Sequence, residues 1–214
     1  MSWDSVWQKL EALLASPGFQ SSPPAYAGIS LAAFDDSDMK IVGQVPLHPT
    51  GGEPQGDVGA YVRAKEDGSI QKAEQLGKSL SEMLNQYDFS PLGQIDTENS
   101  NVLVHLFLLC IFSIDDTLER CFSSQMLAQV AQNKLIEHLD SKAVYRDIRA
   151  NAAYSMYRLA ARSHDVAREI GLAFAELCQK EGDSAYQEAG TALYLQMVKS
   201  ASNLFAAAGF SPGQ

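Results

Sequence analysis

The chain has 214 residues, of which 46% are hydrophobic, 20% are charged and 9% are aromatic. This length is typical of one domain, and the apolar fraction excludes a wholly disordered chain. Asp and Glu number 26 against 16 Lys and Arg, which gives a net charge of −10 at pH 7. The excess of acids argues against a nucleic-acid-binding surface, because a basic patch supplies most of the affinity of such surfaces.

The sequence shows no signal for export or for membrane insertion. Residues 1–7 contain neither the basic region nor the apolar region of a signal peptide. The longest apolar run, residues 102–112, is shorter than the about 20 residues that cross a bilayer. The three cysteines, Cys110, Cys121 and Cys178, are an odd number without metal or redox spacing. We therefore expect a reduced, cytoplasmic protein without a membrane span.

The first 68 residues divide into a short helix and an irregular segment. Residues 1–16 have apolar side chains at helical spacing, and Pro17-Gly18 ends this predicted helix. Six of the eight prolines and eight of the fifteen glycines fall between residues 17 and 68. We predict that residues 17–68 form an irregular segment that wraps the core. Within it, residues 41–42 and 58–62 could pair as a small hairpin.

Residues 69–214 have the pattern of a helical bundle, with apolar side chains recurring every three or four positions. Residues 102–112 are apolar on nearly every side, which indicates a buried central helix. Short connections near residues 140, 163 and 183 favour antiparallel neighbours. We predict one all-α domain over residues 1–214, a compact bundle of six or seven mostly antiparallel helices. The stripes that mark its other helices are Ile70, Leu76 and Leu84; Leu118, Phe122, Met126 and Val130; Val144, Ile148, Ser155 and Leu159; Val166, Ile170 and Phe174; and Tyr186, Leu193, Met197 and Phe205.

An acidic cluster, Asp115, Asp116 and Glu119, directly follows the apolar run. In one interpretation Ser113 caps a new helix that begins near Ile114, and the acids favour the positive end of its dipole. In the other, residues 102–119 form one continuous helix. Four side chains would then lie within about 60° of one another around the helix axis, and so would form one stripe. These are His105, Phe112, Asp116 and Glu119.

The same cluster resembles the aspartate-rich DDxxD/E motif of the class I isoprenoid synthases, an all-α family. The resemblance covers Asp115-Asp116-Thr117-Leu118-Glu119. It implies that these carboxylates hold Mg²⁺ against a substrate diphosphate at the mouth of an apolar cavity. The second metal motif of the family is incomplete, because Asn151 and Ser155 are followed by Leu159 where the family has Glu.

Other motifs in the chain do not support a particular chemistry. Gly77-Lys78-Ser79 resembles the end of a phosphate-binding loop, but Lys72 replaces its first glycine and the stretch lies inside a predicted helix. The four histidines lie far apart, and the sequence has neither a His-Glu-x-x-His motif nor a nucleophile elbow.

We therefore expect a non-catalytic helical interaction protein, such as an adaptor, a regulator or an immunity-type inhibitor, that binds another protein and uses no cofactor. Lys142, Arg146 and Arg149 share a helix face that could receive an acidic partner. The alternative is an Mg²⁺-dependent enzyme or small-molecule binder. It would have an apolar cavity lined by residues 102–112 and the metal ligands Asp115, Asp116 and Glu119. The sequence does not specify the oligomeric state.

Overall fold

The computed structural model describes residues 57–92, 95–139 and 152–211. These ranges contain seven α-helices, a 3₁₀ turn at Ser90–Leu92 and no strand. The prediction of an all-α bundle is confirmed. The helices are α1 (Asp57–Glu66), α2 (Ser69–Asn85), α3 (Ser100–Cys121), α4 (Gln125–His138), α5 (Ala152–Ala160), α6 (Val166–Leu177) and α7 (Ser184–Ala207).

Helix α3 is the central helix of the bundle, as its apolar run predicts. Its 22 residues pack against α4, α5, α6 and α7, and 16 of them are buried. The side chain of Asn99 caps α3 by accepting a hydrogen bond from the Asn101 N–H. The helix is long enough to cross a bilayer, and its most apolar stretch of 18 residues has a mean hydropathy of 1.6, but 89% of that stretch is buried inside the fold. That burial is the pattern of a core helix.

Two helix pairs pack closely because a glycine lies at each crossing. Helix α2 packs on α4, where a Cβ atom on Gly77 would lie 2.8 Å from the Cβ of Lys134. Helix α6 packs on α7, where a Cβ atom on Gly190 would lie 2.7 Å from the Cβ of Phe174. Gly77 therefore serves helix packing and not phosphate binding, in agreement with the sequence argument.

Only part of the segment for which we made N-terminal predictions lies among the described residues. The predicted helix over residues 1–16 and most of the irregular segment, residues 17–56, lie outside the described residues. Residues 57–66, which we expected to be irregular and of which residues 58–62 could have belonged to a small hairpin, form helix α1. That part of the prediction is wrong, because the two β-branched residues of this stretch did not outweigh its helix-forming Ala, Arg, Lys and Glu residues.

The predicted stripe of α5 has the wrong register. Ser155 and Leu159, which we expected in the core, are exposed, and Leu159 is 71% exposed. The buried side of α5 consists of Ala153, Tyr154 and Tyr157. Tyr154 buries its ring while its hydroxyl donates to a carboxylate, and Tyr157 is the largest fully buried side chain of this helix, so the large core side chains of α5 are aromatic and not aliphatic. The remaining predicted features of this region, Val144, Ile148 and the cationic face of Lys142, Arg146 and Arg149, lie outside the described residues.

Candidate functional site

The acidic cluster belongs to the last two turns of α3, because that helix continues without a break to Cys121. The Ser113 hydroxyl donates to the Leu109 carbonyl oxygen at 2.6 Å, inside the helix. Ser113 therefore caps no new helix, and the interpretation that a helix begins near Ile114 is wrong. The continuous-helix interpretation is confirmed, and the next helix begins only at Gln125, capped by Ser124.

Asp115 faces the interior of the bundle and is 1% exposed. The hydroxyl of Tyr154 on α5 donates to its Oδ2 atom at 2.6 Å. A hydrogen bond this short is typical of a hydroxyl that donates to a charged carboxylate. This contact joins α3 to α5, so the structure places Asp115 in the packing of the bundle and not at an open surface.

Asp116 faces α7 and takes part in a three-residue polar cluster. Its Oδ2 atom lies 2.6 Å from Nη2 of Arg120 and accepts a hydrogen bond of 3.2 Å from the Tyr194 hydroxyl. Arg120 also donates to the oxygen of that hydroxyl at 3.1 Å. Burial raises the pKa of Asp116, and the positive charge of Arg120 partly offsets this rise. The cluster joins the end of α3 to α7.

Glu119 lies at the surface and pairs with Arg158 of α5. Its Oε1 atom is 2.9 Å from Nη2 of Arg158, and the two side chains are 47% and 51% exposed. The Arg158 guanidinium also lies 5.8 Å from the centre of the Tyr154 ring. An ion pair with this exposure contributes little stability, so both groups are available to a ligand.

The three predicted metal ligands thus each have a different partner, in Tyr154, Arg120 and Arg158. In the described part of the chain, no group of three His, Cys, Asp or Glu side chains is close enough together to hold a metal ion. The Mg²⁺ site at Asp115, Asp116 and Glu119 stays a prediction, and the observed geometry does not add support to it.

A small pocket of 160 Å³ opens between the end of α3 and α5. Of the four residues that we expected on one stripe of α3, Phe112, Asp116 and Glu119 line this pocket and His105 does not. The other residues of its lining come from α5 and the turn that follows it, and they are Tyr154, Arg158, Ala161 and Arg162.

A larger cleft of 520 Å³ also borders the Glu119–Arg158 ion pair, so it shares both residues with the small pocket. Helix α4 forms one wall of the cleft, and the connection after α3 contributes Phe122 and Ser123. Three glutamines line the α4 wall at positions i, i+4 and i+7, which places them on one helix face. These are Gln125, Gln129 and Gln132, with Ala128 between them.

Gln132 is an unusual member of this row because it is buried. Its exposed fraction is 3%, and within the described residues its Nε2 atom has no hydrogen-bond partner. A buried polar group without a partner typically costs about 1–3 kcal/mol of stability. The sequence contained a signal that we missed, since Gln132 occupies a helical stripe that is otherwise Ala128, Leu135 and Leu139.

The thiols and the central histidine do not form a reactive site. Burial raises the pKa of Cys178 to about 12 and lowers the pKa of His105 to about 4. The Cys110 thiol is fully buried, and burial raises its pKa further still. Near pH 7 these groups are neutral, which is the state of packed core residues and not of a nucleophile with its base.

Comparisons with protein-family models, with curated proteins and with solved structures gave no match for this chain. The cleft, the small pocket and the ion pair that they share are the features of the described structure that bear on its function.

Proposed function

We propose that this protein is a non-catalytic binding protein that holds an extended peptide segment of a partner protein in the cleft between α4, the end of α3 and α5. The observation that carries the proposal is the row of glutamines on the α4 wall, in which Gln132 is buried and its amide nitrogen is unpaired within the described residues. A side-chain amide offers both donors and an acceptor, as a peptide group does. A row of amides is therefore chemically complementary to a peptide main chain.

The spacing of the glutamines supports an extended ligand. Gln125 and Gln129 are one helical turn apart, so their positions along α4 differ by about 6 Å. Main-chain groups that face the same side of an extended peptide repeat every two residues, about 6.6 Å. Two successive amides can thus reach two successive main-chain groups. The cleft volume of 520 Å³ lies within the range of about 300–1,000 Å³ that is usual for ligand sites.

The rim of the cleft has features that protein-binding surfaces share. The Glu119–Arg158 ion pair provides charged groups of both signs at the edge of the cleft. The lining of the cleft also includes Phe122, an apolar aromatic side chain of the connection after α3. Arginine is enriched at interfaces, and an apolar contact with a polar rim is the usual anatomy of a binding patch.

A selection from a displayed library of random peptides tests the proposal. We expect the wild-type protein to enrich a set of peptides, whose binding is then measured by fluorescence anisotropy. The double variant Gln125→Ala/Gln129→Ala removes two exposed amides without disturbing the core. Because each neutral hydrogen bond contributes about 0.5–1.5 kcal/mol, we expect the peptides to bind this variant about tenfold more weakly or worse.

The matched control is Gln196→Ala, which removes an exposed glutamine of α7 that lines neither pocket. We expect the control variant to bind the peptides as tightly as wild type. The proposal is wrong if no peptide is enriched above the background of the selection. It is also wrong if the enriched peptides bind wild type and the double variant equally well, since they then bind elsewhere on the surface.

A further inference from the structure

We infer that the bound peptide carries an acidic side chain, and that its carboxylate occupies the small pocket against Arg162. This inference rests on the proposed function, because it assigns the neighbouring pocket to the same ligand. The two pockets meet at Glu119 and Arg158, so a chain that lies in the cleft can extend one side chain into the small pocket.

Among the described residues, the charged side chains that line the small pocket are Asp116, Glu119, Arg158 and Arg162, and Arg162 is the one of these four without an ion-pair partner. Glu119 pairs with Arg158, and Asp116 pairs with Arg120. Arg162 is exposed and lines the pocket, and among the described residues it has no acidic partner within salt-bridge distance. Within the described part of the chain, Arg162 is thus a guanidinium at the pocket that no acidic side chain pairs with, although the net charge of the whole chain is −10.

The chemistry of the site favours a carboxylate over other ligands. An arginine guanidinium offers parallel N–H groups that match the two oxygens of a carboxylate. Arg158 of α5 lines the same pocket as Arg162, which lies in the turn after that helix, so a carboxylate in the pocket also lies near a second guanidinium. The pocket volume of 160 Å³ is below the usual size of a site for a whole ligand and is suited to a single side chain.

The lining also provides an apolar contact for the stem of such a side chain. Phe112 and Tyr154 are nearly fully buried, and their rings pack edge to face with centroids 5.4 Å apart. They line the pocket together with Ala161. A glutamate or aspartate side chain would place its methylene groups against these residues and its carboxylate towards the two arginines.

A cycle of peptide and protein variants tests this inference. Each peptide from the selection is made again with its acidic residues changed singly to Asn or Gln, and also with an amidated C-terminus. We expect one acidic-to-neutral change to weaken binding to wild type about tenfold, as loss of a charged hydrogen bond typically does. Against the variant Arg162→Gln, the same change should have almost no effect.

Two controls show whether a side-chain carboxylate of the peptide meets Arg162 in particular. Arg168→Gln removes an exposed arginine of α6 that lines neither pocket, so the acidic-to-neutral change should still weaken binding tenfold. Amidation of the C-terminus, and not a side-chain change, could be the change that weakens binding to wild type but not to Arg162→Gln. The group at Arg162 is then a terminal carboxylate, and the inference is wrong. It is also wrong if every neutral peptide binds wild type as well as its acidic parent.

The two proposals fail in different ways. If no peptide is enriched, or if the glutamine substitutions have no effect, the proposed function itself fails. If the peptides bind through the glutamine row but their acidic residues do not couple to Arg162, the proposed function stands and only the assignment of the small pocket is overturned.

Discussion

Two tyrosines of α5 allow the hydrogen bond to Asp115 to be measured against an internal control. Tyr154 and Tyr157 are both buried, and the centres of their rings lie 5.4 and 5.5 Å from that of Phe112. The Tyr154 hydroxyl donates to Asp115 at 2.6 Å. The Tyr157 hydroxyl is buried and, within the described residues, has no hydrogen-bond partner. A change to Phe at either position removes one oxygen atom and keeps the ring.

The two substitutions should have opposite consequences for stability. Tyr154→Phe should lower the free energy of unfolding by about 1.5–3 kcal/mol, because a hydrogen bond to a buried carboxylate is lost. Tyr157→Phe should leave it unchanged or raise it by up to about 1 kcal/mol, because a buried hydroxyl that is unpaired within the described residues is removed. Burial also raises the pKa of the Tyr157 hydroxyl well above the usual value.

Urea unfolding followed by far-UV circular dichroism measures both effects. The dependence of the unfolding free energy on urea concentration should be the same for both variants and wild type, since each exposes the same surface on unfolding. We expect the midpoint to fall for Tyr154→Phe only. Equal losses for the two variants, or a larger loss for Tyr157→Phe, would refute the assignment of the hydrogen bond to Tyr154 alone.

Three further predictions concern the core and the acidic cluster. Burial lowers the pKa of His105 from 6.5 to about 4 in the folded protein. As the pH falls from 6.5 to 4, the unfolded chain therefore binds a proton that the folded protein does not bind, and the free energy of unfolding decreases. This decrease in the free energy of unfolding, about 3 kcal/mol, should be absent when urea unfolding of His105→Leu is measured over the same pH range. Phe107→Ala should cost about 3–5 kcal/mol in urea unfolding, since Phe107 is 1% exposed; an unchanged midpoint would place it outside the core. Mg²⁺ should leave the melting temperature unchanged, whereas a rise abolished by Asp116→Asn/Glu119→Gln would support the alternative metal-dependent function.

The central helix could be predicted from its apolar run, but its full length could not. Ser113 is a polar residue of a type that often caps a helix, so a new helix beginning near Ile114 was one of the two interpretations. Its hydroxyl and that of Thr117 instead donate to carbonyl oxygens of the preceding turn, Ser113 to Leu109 and Thr117 to Ser113. Polar residues that satisfy their hydrogen bonds inside their own helix can be buried, and no local pattern distinguishes them from capping residues.

Only the part of the candidate site that lies on α3 could be predicted from the sequence. The alignment of Phe112, Asp116 and Glu119 on one stripe of α3 follows from helical geometry, and the structure adds that these three residues line the small pocket. Their partners on other helices could not be predicted, because Arg158 is 39 residues from Glu119 and Tyr194 is 78 residues from Asp116 along the chain. Such pairs depend on how the helices pack, which periodicity alone does not specify.

The glutamine row of α4 was missed for a different reason. Glutamine is a good helix former that usually lies at the surface, so its presence in a helix carries little information. Only the burial of Gln132, at 3% exposed, makes the row notable. The apolar stripe of Ala128, Leu135 and Leu139 already placed Gln132 on the buried side of α4, whereas the packing of that side against α2 and α3 is not specified by the sequence.

The substitution Gln132→Met tests the central claim most directly, because methionine has nearly the volume of glutamine and no amide. If Gln132 serves binding and not folding, the substitution should raise the free energy of unfolding by about 1 kcal/mol or more. The reason is that it removes a buried donor that is unpaired within the described residues. The same variant should bind the selected peptides about tenfold more weakly than wild type. A variant that is less stable than wild type but binds the peptides equally well would contradict the account, because Gln132 would then be a structural residue of the bundle.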